Sequence, residues 1–226
     1  MRHKVAIRFV IEEDLRFISH HDMARLFQRA VSRVQLPVKF SGGFNPRPKL
    51  SLPLPRPVGV ASEAELLVVE LAEPVQPERA LAQLARVLPA GLKLTEARMI
   101  EGGRSPQAES VEYAVDLPAE HLPAVEQALH RLLAAETWRI ERTGPADKPG
   151  RTIDLKAYLV DASIDRERVR WTVRVTDSGS IRPAEVLAAI GLDPGSWHHR
   201  VRRTAINWRK QAATDKMTGP DPSTRR

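Results

Sequence analysis

His20-His21-Asp22 places near the start of the chain the His-Asp pair that metal phosphohydrolases use. Those enzymes need a further His and Asp from other helices, and His3, His121, His130, His198 and His199 supply no convincing set. Asp14, Asp22 and Asp154 can each act as an acid or base, yet nothing pairs them. Gly-x-Ser-x-Gly, the phosphate-binding Gly-x-x-x-x-Gly-Lys-Ser/Thr and the Rossmann glycine fingerprint are all missing from the sequence. There is no cysteine, which removes disulfides, thiolate zinc sites, cysteine nucleophiles and cysteine-ligated iron–sulfur clusters. No catalytic residue, metal or cofactor is assigned.

The chemistry that remains is cationic. Arg25, Arg29 and Arg33 follow one another at four-residue steps and form a ridge able to neutralise phosphates, with free backbone N–H groups at His20-His21. The plainer reading is a solvated helix face. Directly after it, residues 39–60 read KFSGGFNPRPKLSLPLPRPVGV, with five prolines, three glycines and the cations Lys39, Arg47, Lys49 and Arg56. Gly42 and Gly43 permit positive φ, Asn45-Pro46 favours a turn, and the prolines give extended, polyproline-like backbone. Such a loop, ordered before binding, would hold Phe44, Asn45, Arg47 and Lys49 in place for a ligand; it could equally be a crossover protected from aggregation.

Further on, Glu167 to Val175 alternates strictly. Val169, Trp171, Val173 and Val175 face one way, and Arg168, Arg170, Thr172 and Arg174 the other. The arginine row can hold a phosphate backbone or pair across a sheet with carboxylates such as Asp161 and Asp165. Trp197-His198-His199-Arg200-Val201-Arg202-Arg203-Thr204 and Asn207-Trp208-Arg209-Lys210 mix cations with aromatics, which suits looped or single-stranded RNA unless the tryptophans are core.

These residues need elements to position them. Val5 to Ile11 reads as a strand, and Ser19 as the N-cap of a helix to about Gln35, with Met23, Leu26, Phe27, Ala30, Val31 and Val34 as its buried stripe. Glu65 to Leu71 is β-like, Pro77 to Leu88 helical and Leu92 to Ile100 a strand, giving β-α-β-β-α-β. After a Gly/Ser/Pro linker at 101–109 the order nearly repeats. Strands at 111–116, 137–142, 153–161, 168–176 and 200–206 enclose helices at 119–134 and 183–190. The fold class is α+β: two ferredoxin-like lobes, 1–100 and 110–210, the second with an extra strand, or one larger α+β domain. Residues 211–226 read as a disordered tail.

The 226 residues are 42% hydrophobic and 28% charged, the composition of a folded protein, and no apolar stretch approaches the roughly 20 residues of a membrane span. No signal peptide is evident, so a cytoplasmic, basic protein without a membrane partner is expected. The net charge of +7 divides as +7 over residues 1–60, −6 over 61–150 and +6 over 151–226. That pattern favours a polyanion touching both ends of the chain, against arginine usage set by genome composition alone.

One resemblance narrows the field. Asp14-Leu15-Arg16-Phe17-Ile18-Ser19-His20-His21-Asp22, the ridge after it, Ser41-Gly42-Gly43-Phe44-Asn45-Pro46-Arg47-Pro48-Lys49 and Pro57 to Glu65 resemble the radical-SAM-linked protein family, a bacterial domain of unknown function. The similarity continues through Arg151 to Lys156, Gly179 to Leu187 and Arg203-Thr204. His21 departs from the pattern, since members more often carry an apolar residue there. The resemblance implies a domain encoded beside, or fused to the C-terminus of, a radical SAM protein that also has a cobalamin-binding type of domain. It implies no activity, and a chain without cysteine would be the stand-alone form, leaving radical chemistry to the partner.

The resulting expectation is a binding module that presents structured RNA, tRNA or ribosomal RNA, to a radical SAM enzyme. Its contacts would be His20, Asp22, Arg25, Arg29, Phe44, Asn45, Arg47 and Lys49, with Arg200, Arg202 and Arg203 as a second patch. The alternatives are an RNA-modifying or RNA-cleaving enzyme using His20 and Asp22, by fold-level analogy with tandem ferredoxin-like enzymes, and a pure protein adaptor.

Overall fold

Val5, Ile7, Phe9 and Ile11 alternate along the first strand, β1 (His3–Ile11), so one face of it is wholly apolar and must be covered. The computed structural model describes residues 3–100, 105–142 and 150–209. Residues 101–104 of the expected linker and the expected tail lie outside the described residues. The cover for β1 is α1 (His20–Arg33), which buries Met23, Phe27, Ala30 and Val31. Ser19 caps this helix, its Oγ accepting from the Asp22 N–H at 3.1 Å. Phe27 meets Phe9 edge to face with centroids 5.0 Å apart.

The remaining elements are β2 (Leu50–Ser51), β3 (Ala61–Leu71), α2 (Pro77–Ala85), β4 (Leu92–Ile100), β5 (Ala108–Asp116), α3 (Leu122–Ala134), β6 (Arg139–Arg142), β7 (Arg151–Asp154), β8 (Leu159–Asp165), β9 (Arg168–Arg174), α4 (Pro183–Ala189), α5 (Pro194–Trp197) and β10 (Arg202–Trp208). One mixed eight-stranded sheet runs β4-β1-β3-β10-β5-β9-β8, with β2 on β3; β6 and β7 form a separate hairpin. The protein is therefore mixed α+β with a large sheet. No helix among the described residues is long and apolar enough to cross a membrane.

Both halves enter this sheet through one joint. β3 and β10 pair in parallel at only two positions, Arg202 with Ala61 and Arg203 with Ser62. Directly paired residues share a face, so Ile11, Ser62, Arg203, Tyr113, Trp171 and Ala162 form one row across six strands, all of it buried. The helices of both halves lie on that face: α1 and α2 over Leu67, Val69 and Leu71, and α3 and α4 over Val115, Trp171 and Val173. The opposite face carries the charges of the alternating strands.

Three expected elements differ. The strand needed between α1 and β3 is the two-residue β2, inside the proline-rich segment. The run expected at 153–161 is two strands, because Asp154 turns the chain: its carboxylate accepts from the N–H groups of Trp138 (2.9 Å) and Lys156 (3.1 Å) and starts a 3₁₀ turn. The last strand begins at Arg202, after a 3₁₀ turn at His198–Arg200.

Candidate functional site

The proline-rich segment has two parts with different jobs. From Lys39 to Lys49 it is a hairpin projecting from the end of the sheet where Val38 bridges Leu71. The Lys49 N–H donates to Lys39 O at 2.7 Å, Phe40 bridges Pro48, and Ser41 closes the tip by donating its N–H to Arg47 O (2.8 Å) and accepting the Arg47 N–H at its Oγ (3.0 Å). Gly43, at φ +102°, makes the reversal. From Leu52 to Val60 the chain is a strap that returns along β3 and crosses the joint with β10. Prolines suit it because its backbone N–H groups have no strand partner on that side.

Two interior guanidiniums hold the strap. Arg203, 1% exposed, donates to Glu65 Oε1 (2.9 Å), Pro55 O (2.9 Å) and the Tyr113 hydroxyl (3.3 Å), so it joins β10, β3, β5 and the strap in one network. Arg56, 8% exposed, donates to the carbonyls of Arg16 (2.7 Å), Pro57 (3.1 Å), Ile18 (3.3 Å), Leu15 (3.4 Å) and Val60. These oxygens belong to the 3₁₀ turn at Glu13–Phe17, its C-cap Ile18 and the strap; those of Arg16, Leu15 and Pro57 also accept backbone N–H groups, from Gly59, Ile18 and Val60. The seam is completed by Arg16, donating to His199 O at 3.1 Å, and by His198, whose Nε2 donates to Val58 O at 2.9 Å. Gly59 is obligatory there: its φ is +90°, and a Cβ would sit 3.3 Å from the His198 ring. Arg16 Nε, His198 Nδ1 and Arg203 Nε are buried without a hydrogen-bond partner, so the seam is not fully satisfied.

His20 stands at the rim of this seam, exposed at the first turn of α1. Partial desolvation pushes its imidazole below the ordinary histidine value; the opposing pull of Glu65 does not overcome that and the nearby positive charges of His21, Arg203 and Arg56. Asp22 takes part in the capping contact: its carboxylate accepts from Ser19 Oγ at 2.7 Å and lies 3.6 Å from Arg25.

The expected contact residues therefore separate. His20 and Asp22 sit at the seam end of α1, which is about 20 Å long at 1.5 Å per residue, while the hairpin leaves the sheet at the other end. Arg25, Arg29 and Arg33 are exposed on the helix, and Phe44, Asn45 and Arg47 are exposed at the hairpin tip. Lys49 is exposed but faces away from α1: with Lys4, Ser51 and Glu70 it lines a shallow recess of about 200 Å³ on the helix-free side. Arg203 is a correction, since a guanidinium buried on Glu65 cannot also meet a surface ligand. Arg202 is committed as well, 3.3 Å from Glu63 and 3.8 Å from Glu12. Arg200 lies over the ring of Trp197, 4.7 Å from its centroid, and Trp197 is core.

The arginine row of β9 divides: Arg170 and Arg174 are exposed with no anionic side chain within ion-pair distance among the described residues, and Arg168 alone is paired. Arg168 pairs with Asp116, directly opposite on β5, rather than with Asp161 or Asp165. On the same helix-free face Arg8 lies 3.3 Å from Glu96, and Lys4 3.8 Å from Glu70. Arg29, Arg33 and Arg47 likewise have no anionic side chain within ion-pair distance among the described residues. The positions sequence reasoning missed are Arg56 as an interior clamp, Glu65, Tyr113, Arg16 and His198. Glu65 alone left a signal, as a carboxylate opening the apolar run of β3.

A family model described as "Uncharacterized protein conserved in bacteria (DUF2344)" matches residues 4–183. The chain belongs to that family. The matched span of this family member takes in α1, the hairpin, the strap, Arg56 and Glu65, and ends before β10 with Arg203. No curated protein matches the chain. Among solved structures it is similar to an unknown protein from Galdieria sulphuraria, with 15% identity, 84% of this chain and 90% of that chain covered, and a TM-score of 0.29. That likeness is too loose to transfer a role to any residue.

Proposed function

We propose that this protein is a non-catalytic cytoplasmic module that binds structured RNA, of the tRNA or ribosomal kind, on the outer face of α1 and the hairpin tip. The observation that carries this reading is the row Arg25, Arg29, Arg33. Like charges at i and i+4 on a helix repel by a few tenths of a kcal/mol per pair, so the row costs stability and returns no structural contact at Arg29 or Arg33. Exposed in one line, with no ion pair at Arg29 or Arg33, these guanidiniums keep their donors free, and a phosphate backbone is the ligand that such a line fits. The hairpin supports it, with Arg47 exposed and no acidic residue between Lys39 and Lys49.

The radical SAM enzyme as recipient of that RNA rests on the resemblance carried by Ser19-His20-His21-Asp22 and Gly42 to Lys49. We also read each half of the sheet as a ferredoxin-like lobe: β4-β1-β3 with β2 outside, and β10-β5-β9-β8, fused where β3 meets β10. Pull-down from native lysate, with RNA sequencing and mass spectrometry on one eluate, tests the reading. RNA should be enriched over what a generic polyanion binder retains, and a radical SAM protein should accompany it. A radical SAM protein recovered unchanged after nuclease treatment, with no RNA enriched, would make the protein an adaptor instead.

A further inference from the structure

Phe44 is the most exposed large apolar side chain among the described residues, its ring wholly in solvent at the hairpin tip, and Phe40 on the same hairpin is 52% exposed. Single exposed apolar residues are ordinary on protein surfaces. This one differs in its support. Gly42 and Gly43 have nothing within 4 Å of where a Cβ would lie, so the tip stands clear of the body. Yet the hairpin below it is pinned by Phe40–Pro48, Lys49–Lys39 and the two Ser41–Arg47 bonds. A flat ring is thus presented on a short, braced arm. The nearest charged residues in sequence are Lys39, Arg47 and Lys49, all cations.

We infer that Phe44 is a stacking platform for an unpaired base, with Arg47 on the adjoining phosphate, so that the RNA favoured here has looped-out or single-stranded nucleotides rather than continuous duplex. The inference rests on the RNA reading above and adds the class of RNA. Its chemistry is general: every base has a π-face, bases in a duplex already stack on each other, and an isolated aromatic among cations gains only from a base that is free. An apolar pocket on a protein would match the ring but not the three cations.

The test compares an RNA stem-loop with a blunt duplex of the same phosphate count, both labelled, against the full chain and its Phe44→Ala and Phe44→Leu variants. Because Phe44 touches nothing, both variants should melt at the wild-type temperature. The wild type should bind the stem-loop more tightly than the duplex. Phe44→Ala should weaken the stem-loop by about five- to a hundredfold and leave the duplex within about twofold. Phe44→Leu, apolar but without a ring face, should behave like Phe44→Ala. Wild-type affinity in Phe44→Leu, or equal affinity of the wild type for both RNAs, would overturn the stacking inference while leaving RNA binding intact. Binding to neither RNA above a heparin control would remove both readings. Phe44-dependent binding to anionic lipid vesicles without an RNA preference would assign the tip to a membrane surface and overturn the inference.

Discussion

The two ends of α1 use the same side chain for opposite purposes. At the seam end two arginines are interior, Arg203 on Glu65 and Pro55 O and Arg56 on a ring of carbonyls, and half-buried Arg16 donates to His199 O. At the hairpin end Arg29, Arg33 and Arg47 are exposed with no anionic side chain at ion-pair distance among the described residues. Desolvation separates the two sets. A buried guanidinium gains acceptors for most of its donors, although Arg16 Nε and Arg203 Nε stay unanswered, and it organises the backbone around it. An exposed one is hydrated at little cost and keeps its donors available to a ligand. Positive charge at one end of the helix holds the fold; at the other it is spare.

The largest effect that would break this comparison is at the joint. Arg203→Leu leaves Glu65 buried without its partner, and removing one member of such a pair costs about 3–5 kcal/mol. For a chain of this size that lowers the melting temperature by about 6–20 °C. Glu65→Leu combined with Arg203→Leu should recover most of the loss, which a melt of the double variant reads directly. RNA affinity of the folded fraction should not change, although Arg203 belongs to a basic run of the sequence.

Arg56→Ala comes next. It strips five carbonyls of a charged donor and should cost about 2–3 kcal/mol, with the 3₁₀ turn and strap gaining amide hydrogen exchange before the rest of the sheet. If exchange rises instead at the hairpin tip, the strap and the hairpin are not separate units as described.

On the helix-free face the effect is small. Arg168→Ala should change stability by about 0.2–1 kcal/mol, because its pair with Asp116 is largely exposed and screened by salt. The hydrogen bond from Arg168 holds the Asp116 carboxyl below the usual value, against its partial desolvation. A depressed carboxylate contributes stability above its unfolded value that is lost as pH falls through the folded one. The small difference between wild type and Arg168→Ala should therefore vanish in acid, as paired melts would show. RNA binding should be untouched.

The smallest effect is at His20. Its folded value lies below the unfolded one, so the fold disfavours the protonated ring, and that stability is present above the ordinary histidine range near pH 6.5 and lost as pH falls below it. His20→Gln should flatten this slight acid-side decline. A decline of the same size in His20→Gln would place its origin elsewhere.

Much of the frame was legible because it rests on local signals: the Ser19 cap, the α1 stripe, the β1 and β9 alternations and Pro77 at a helix start. A turn near Gly42-Gly43 and Asn45-Pro46 was legible too, but the ladder that makes residues 39–49 a hairpin distinct from the strap was not, since both were read as one extended loop. What could not be read was the division of labour among arginines. Arg203 and Arg202 are adjacent in a basic run, and only the register of β10 against β3 and β5 turns one inward and leaves the other outside with Glu63 and Glu12. Arg56 likewise looked like one more loop cation, because its acceptors at Leu15, Arg16 and Ile18 are about forty residues away. Long-range pairing decides burial, and burial decides what a guanidinium does.

Arg29→Glu tests the central claim most directly, with RNA affinity across a salt series and a melt on the same sample. It converts two repulsive i,i+4 contacts with Arg25 and Arg33 into attractive ones, so the fold should gain a few tenths of a kcal/mol while RNA affinity drops and the slope of log affinity against log salt shallows by about 0.7–0.9 per lost phosphate contact. A variant that is more stable and binds RNA with the wild-type affinity and slope would show that the spare charge at this end of the helix serves no such ligand.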